Sequence, residues 1–458
     1  MEALRLAPGL TAARLRSHSG DGWLDILAVL SFALSALMAL TVAGGVWMFS
    51  GWATNPTAHM LQTAEHLGWG QQSDLFTAYF GMAMGAGGLL VFPIFSLGAS
   101  AARLGARGRA QRLASLRLVG VTGFEAVAMS MVETVVQWIM GAAVGVMAYF
   151  ATLPLWSSVT FIDQHINPAQ MRLPVPLFFA VLAFTLVIAL ISTAVGLQRV
   201  RISPLGVANR EPNPALRFWR VGASVAAIAA FVLWTRTDRA PTDMWTYVSM
   251  AFMLLIVVGG ISLVGPFILQ SLARPGTLTR SPAILLATRR ILDDPRTAWR
   301  NVSAIALLSF IAGFVAAVPF DRSDDGSVSL LHDINTGVLI TLAFGFASAA
   351  LSTLMNQTSL VFDRAPQTYA LAQVGFPRQF FGLSRAAQIL GPLLLSTLFT
   401  TVIGVFLGYS TSALVPSTDS IVLVGVFILI GIGLSVLALL ACEPLERHVL
   451  ANMRRAND

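Results

Sequence analysis

The sequence predicts an all-α, polytopic membrane protein of about ten transmembrane helices, and three observations carry that prediction. Of its 458 residues 56% are hydrophobic and only 11% are charged, where a soluble domain carries roughly a quarter charged residues. Apolar runs of about 20 residues, the length that crosses ~30 Å of hydrocarbon as a helix, recur from end to end. All 29 basic residues are arginine, and they collect between alternate pairs of those runs.

The chain opens with MEALRLAPGLTAARLRSHSG, which is too polar to supply the apolar core of a cleavable signal peptide. Leu4, Leu6, Leu10 and Leu15 with Arg5, Arg14 and Arg16 read instead as an amphipathic helix on the membrane surface, within a cytoplasmic N-terminal segment at 1–23. Ten apolar segments follow, at about 24–50, 74–98, 124–150, 173–198, 218–235, 245–270, 302–320, 335–361, 386–409 and 420–442. The fifth is the shortest and is rich in alanine. With the N-terminus in the cytoplasm, 25 of the 29 arginines fall on the cytoplasmic side. Only Arg172, Arg236, Arg239 and Arg322 fall outside. Arginines near span ends set orientation, so this split fixes the number of spans and places both termini in the cytoplasm, with a tail at 443–458. The longest external loops, about 51–73 and 151–172, have room for a small helix or hairpin and not for a separate domain.

The hydropathy contains a repeat. With an offset of 255, LASLRLVGVTGFEAVAMSMVETVVQWIMG from Leu113 aligns with TYALAQVGFPRQFFGLSRAAQILGPLLLS from Thr368. Val119-Gly120 then matches Val374-Gly375, and Glu133 matches Gln388. Each stretch follows a segment that enters the cytoplasm and precedes one that leaves it. The chain therefore divides into a first four-span repeat at 24–200, a two-span basic linker at 201–300 and a second four-span repeat at 301–442. Parallel repeats of this kind are a known transporter plan.

The pattern of a span, a basic amphipathic helix, a Leu-Arg-x-x-Gly turn and an emerging span resembles the cytoplasmic signature of the FtsX-like, MacB-type permeases of ABC transporters. RLASLRLVGVT at 112–122 matches well and TYALAQVGFPR at 368–378 more loosely. LATRRILDDPRTAWRNVSAIAL at 286–307 is similar to the arginine-rich lead-in before a first span, and VRISPLGVANREP at 200–212 to the segment after a fourth. The ten-span layout is that of the BceB-like branch, but without the large extracellular domain its members usually carry. The resemblance implies a permease subunit in a bacterial plasma membrane. It would couple ATP hydrolysis by a separate cytoplasmic ABC ATPase, two copies per permease, to export or extraction of an apolar or amphipathic substrate. The alternative it leaves is a mechanotransmission subunit controlling an external hydrolase or sensor, through an external accessory protein. ATP and Mg would be bound by the partner, and this chain would be non-catalytic, with no cofactor of its own.

On that resemblance the ATPase-coupling residues are Arg109, Arg112, Leu113, Leu116, Arg117, Val119 and Gly120 in the first turn. In the second they are Gln373, Val374, Gly375 and Arg378. Leucines and valine would fill an apolar groove on the ATPase, arginines would meet its acidic rim, and the glycine permits the reversal into the next helix. The alternative for the arginines is ordinary positive-inside anchoring.

Other chemistry is thin. Without lysine the chain lacks the phosphate-binding G-x-x-x-x-G-K-[ST] loop. One cysteine, Cys442, excludes an intramolecular disulfide and a Cys-built metal site. The net charge of +7 follows from loop arginines and implies the lipid bilayer as partner, with no nucleic acid. Glu133, with Glu125 two turns earlier, places a carboxylate at membrane depth, where ionisable groups are functional or paired; a helix–helix contact is the favoured reading, and Gln388 is its polar counterpart. DRSDDGSVSLLHD at 321–333 partly matches a calcium loop but has His332 where a bidentate Glu is expected. LDDPR at 292–296 resembles half of a prenyl-diphosphate motif. No metal site is assigned. Gly265-Pro266 and Gly391-Pro392 predict helix kinks.

Overall fold

In a computed structural model of the chain, residues 22–66, 72–118, 122–162, 164–202, 218–237, 244–317, 328–412 and 418–444 are described. The helices among them are α1 (Gly22–Thr54), α2 (Ala58–His66), α3 (Gln72–Leu118), α4 (Gly123–Thr152), α5 (Val175–Ile202), α6 (Phe218–Thr235), α7 (Met244–Ala273), α8 (Pro282–Asp293), α9 (Pro295–Ala317), α10 (Val328–Gln373), α11 (Arg378–Ser412) and α12 (Thr418–Ala441). Strands β1 (Thr160–Phe161) and β2 (Gln164–His165) form one antiparallel hairpin, and 3-10 turns cover Leu153–Ser158 and Arg274–Leu278. Among the described residues nine helices are long and apolar enough to cross a membrane, and the described part of α12, Gly425–Ala441, is a shorter apolar helix. The chain is an all-α polytopic membrane protein. Its outward side chains fit that solvent: Phe179, Leu398 and Leu429 are 62%, 65% and 68% exposed, a costly arrangement in water and an ordinary one in hydrocarbon.

The chain forms two compact units. The first comprises residues 1–63 and 90–209, and α1 packs chiefly against α4 and then α5. Here α4 brings glycines to the contact. A Cβ on Gly141 would lie 2.7 Å from the Val29 carbonyl oxygen and 3.0 Å from the Ala33 nitrogen, and one on Gly145 would lie 2.5 Å from the Ala33 oxygen and 2.9 Å from the Ala36 Cβ. The two backbones touch because glycine leaves nothing between them, the small-x-x-x-small device of membrane helix pairs. Beside α1 the loops expected to hold a small helix or hairpin do so. Trp52 donates to Gln170 Oε1 at 3.0 Å, Tyr149 donates to the Met171 carbonyl at 2.7 Å, and Phe161 stands edge-on to Phe49.

The second unit comprises residues 64–89 and 210–458. Its centre is α9, which is buried along nearly its whole length, with α11 as its main neighbour. The contact repeats the chemistry of the first unit. A Cβ on Gly404 would strike the Phe310 carbonyl oxygen and lie 2.8 Å from the Phe314 nitrogen; one on Gly408 would strike the Phe314 oxygen and lie 2.8 Å from the Ala317 Cβ. Oxygen, nitrogen, oxygen and Cβ are met in the same order in both pairs. This register differs from the sequence alignment that pairs Glu133 with Gln388. Eight positions separate Glu133 from Gly141, but sixteen separate Gln388 from Gly404, so the counterpart of Glu133 at the interface is Ser396. A constant offset fails because α11 is longer than α4 ahead of its glycines.

Helices α7 and α11 run through Pro266 and Pro392 without a break in assignment, and α3 through Pro93. Gly265 lies under the indole of Trp299, leaving no room for a side chain, whereas a Cβ on Gly391 would meet no neighbouring group within 4 Å. The two Gly-Pro pairs thus differ: the first glycine is a packing requirement.

Gly404→Ala is expected to destabilise the protein by about 1–3 kcal/mol through overpacking against backbone that cannot yield. Gly433→Ala is the control, with nothing within 4 Å of it, and should be neutral or slightly stabilising through helix propensity. Thermal unfolding in detergent compares them; equal melting temperatures would refute the contact.

Candidate coupling site

The second turn lies within the described residues and is built by the backbone. Helix α10 ends at Gln373, and the chain closes with three backbone hydrogen bonds: Val374 N–H donates to the Ala370 carbonyl (3.2 Å), Gly375 N–H to the Ala372 carbonyl (3.1 Å) and Phe376 N–H to the Leu371 carbonyl (3.4 Å). The last two form the nested 6→1 and 5→2 pattern of a Schellman end, which requires a left-handed residue between them. Gly375 supplies it, with φ of 97°. Pro377 then prevents helix continuation, and α11 begins at Arg378, whose side chain is outside the described residues. Gln373 and Gly375 are exposed, Val374 is 76% exposed, and Phe376 packs on Phe380 with ring centroids 4.6 Å apart. The turn is a stiff corner that presents an apolar tip.

In the first turn, α3 continues without interruption to Leu118. Arg109, Arg112, Leu113, Leu116 and Arg117 therefore ride on the same helix as the span, and not on the separate amphipathic helix expected. Their side chains, and Val119 and Gly120 altogether, lie outside the described residues. The next helix begins with a feature that sequence reasoning missed. Thr122 is the N-cap of α4: its hydroxyl accepts from Glu125 N–H at 3.3 Å, and Glu125 Oε2 accepts from Thr122 N–H at 3.0 Å. This capping box gives Glu125 a role at the helix end, where it is exposed. The signal, Thr-x-x-Glu ahead of an apolar run, was present.

Glu133 is half-buried on α4, while the face beside it faces protein. There Thr134 Oγ1 meets Thr193 Oγ1 at 3.1 Å, Gln137 donates to Asp25 Oδ1 at 2.9 Å and Trp138 donates to Thr185 at 3.1 Å. Gln388 is buried on α11. Two acids unsuspected from the sequence are buried. Asp25 is 5% exposed, at the start of α1, and Asp333 is 4% exposed, near the start of α10, where Tyr79 donates to it at 2.6 Å. Both sit at the edge of an apolar run, where hydropathy cannot distinguish a buried acid from a solvated one.

The acidic motifs resolve differently. Asp294 of LDDPR ends α8 and caps α9, accepting from Thr297 N–H at 3.1 Å and from its hydroxyl at 2.6 Å, with Pro295 in the first helical position. The calcium-loop positions Asp321, Ser323, Asp325 and Gly326 lie outside the described residues. Among the described residues no three His, Cys, Asp or Glu side chains gather to hold a metal ion. No protein-family model and no curated protein matches the chain.

Space around Gly375 is open, so backbone conformation alone governs substitution there. Gly375→Ala should cost about 1–2 kcal/mol, the left-handed penalty, and Gly375→Asn less; hydrogen exchange at the end of α10 measures the difference. The cap on α4 makes a pH prediction. The Thr122 backbone N–H, then its hydroxyl, hold the Glu125 carboxyl below its ordinary value of 4.5. A depressed carboxyl contributes stability above its unfolded value and loses it as pH falls through the folded one. Protection of the first turn of α4 should therefore fall as pH drops below about 4.5, and Glu125→Gln should flatten that dependence.

Proposed function

We propose that this chain is the permease subunit of an FtsX/MacB-type ABC complex. It hydrolyses no ATP itself and couples hydrolysis by two separate ATPases to export or extraction of an apolar or amphipathic molecule. The observation that carries this reading is the exposed corner at 373–377 at the end of a very long helix. Helices α3 and α10 have 47 and 46 residues, about 70 Å each, more than twice the ~30 Å of hydrocarbon. Force applied at such a corner is delivered along an unbroken rod. The absence of lysine, and with it of the phosphate-binding loop, supports a separate source of ATP hydrolysis. The distribution of arginines supports a cytoplasmic position for both turns and both termini; a bacterial plasma membrane is part of the same proposal. Transport is preferred over mechanotransmission because the described segments outside the spans on the opposite side, α2 and the β1–β2 hairpin, are small.

The test is charge reversal in the first turn. An Arg112→Glu, Arg117→Glu double variant should insert and express near the wild-type level, yet lose copurification of the ATPase and its stimulated turnover. Changes at Gln373, Gly375 and Arg378 should act in the same direction. Degraded or misoriented protein whose surviving molecules still couple would instead identify the arginines as membrane anchors.

A further inference from the structure

The connector between α7 and α9 has apolar groups on both of its faces. One face of α8 is buried: Ala283, Ala287 and Ile291, spaced i, i+4, i+8, face protein, with α11 as the main neighbour. The opposite face would be polar in water, yet Leu285, Arg289 and Leu292 follow one another along it at i, i+4, i+7, with both leucines only half-buried. Ahead of it Leu278 is 86% exposed. The segment is held firmly: a Cβ on Gly276 would lie 2.6 Å from Thr288 Oγ1, so the 3-10 turn rests directly on α8. Four arginines (274, 280, 289 and 296) are exposed along the same stretch. Its two acids do not offset them equally, since Asp294 is occupied as the cap of α9.

Connectivity places this connector at the membrane surface. A span ends at Leu278 and the next begins at Pro295, so α8, about 18 Å long, lies between two span ends on one side of the bilayer. Half-exposed leucines on either side of Arg289, on a helix so placed and preceded by the exposed Leu278 and Arg280, are the composition of an interfacial element, apolar groups toward acyl chains and cations toward headgroup phosphates. We propose that Arg274–Arg296 is a binding surface for anionic phospholipid, with Arg280 and Arg289 contacting the headgroup phosphate and Leu278 entering the acyl region. This inference is independent of any ATPase partner.

Full-length protein exchanged into mixed micelles of phosphatidylglycerol and phosphatidylcholine with matched chains, then examined by native mass spectrometry, tests it. Wild type should retain phosphatidylglycerol at least fivefold over phosphatidylcholine, with retention falling as salt rises. An Arg280→Gln, Arg289→Gln variant should lose most of that preference, and Arg280→Lys, Arg289→Lys should keep most of it. The salt dependence of wild type decides the matter even if the glutamine variant fails to fold. Equal retention of the two lipids by wild type would overturn the proposal. So would displacement of phosphatidylglycerol by millimolar inorganic phosphate, which would mean a small-anion site. Unchanged lipid preference in a folded glutamine variant that no longer copurifies the ATPase would overturn it in favour of a protein-docking surface.

Discussion

The contact on which both units depend is backbone against backbone, made where glycine removes the side chain. Gly141 and Gly145 admit α1 against α4; Gly404 and Gly408 admit α9 against α11. Lipid tails are as apolar as leucine, so membrane helices gain little from burying hydrophobic area against each other. Close packing and hydrogen bonds must hold them together instead. At such range side-chain hydroxyls reach a neighbouring backbone, and Thr400 donates to the Ala306 carbonyl at 2.6 Å. Glycine spacing thus sets how near the helices lie, and nearness decides which polar groups are satisfied.

The same contact explains why α9 tolerates an unusual composition. Asn301, Ser303 and Ser309 are buried within a span, which would be expensive facing lipid. In the interior the hydroxyls find carbonyls: Ser309 donates to Ile305 at 3.0 Å and Ser303 to Arg300 at 3.4 Å. Its entry is equally fixed, by Asp294 as cap and Pro295 in the first turn. In the first unit, Asp25 and Gln137 play a comparable part between α1 and α4.

The helix ends translate this rigidity toward function. A rod transmits motion only if its tip is not frayed, and the Schellman closure at Gly375 satisfies the last carbonyls of α10 while turning the chain sharply into α11. At the start of α4 the Thr122–Glu125 box does the same for amide groups. Val374 is left exposed at that corner, and the proposed coupling would use this surface.

Hydropathy by itself determined the fold class and the approximate position of the nine helices that, among the described residues, are long and apolar enough to cross a membrane. These depend on how each residue partitions between water and hydrocarbon, a property it carries alone. Gly375 was legible as a turn residue through its alignment with Gly120, since a reversal between consecutive helices is a local event. What only the tertiary structure decided was which faces meet. The register of Gly404 against Phe310, the burial of Asp25 and Asp333 and the enclosure of α9 depend on pairings between distant helices. A sequence with no charge or size constraint unique to those pairings does not announce them.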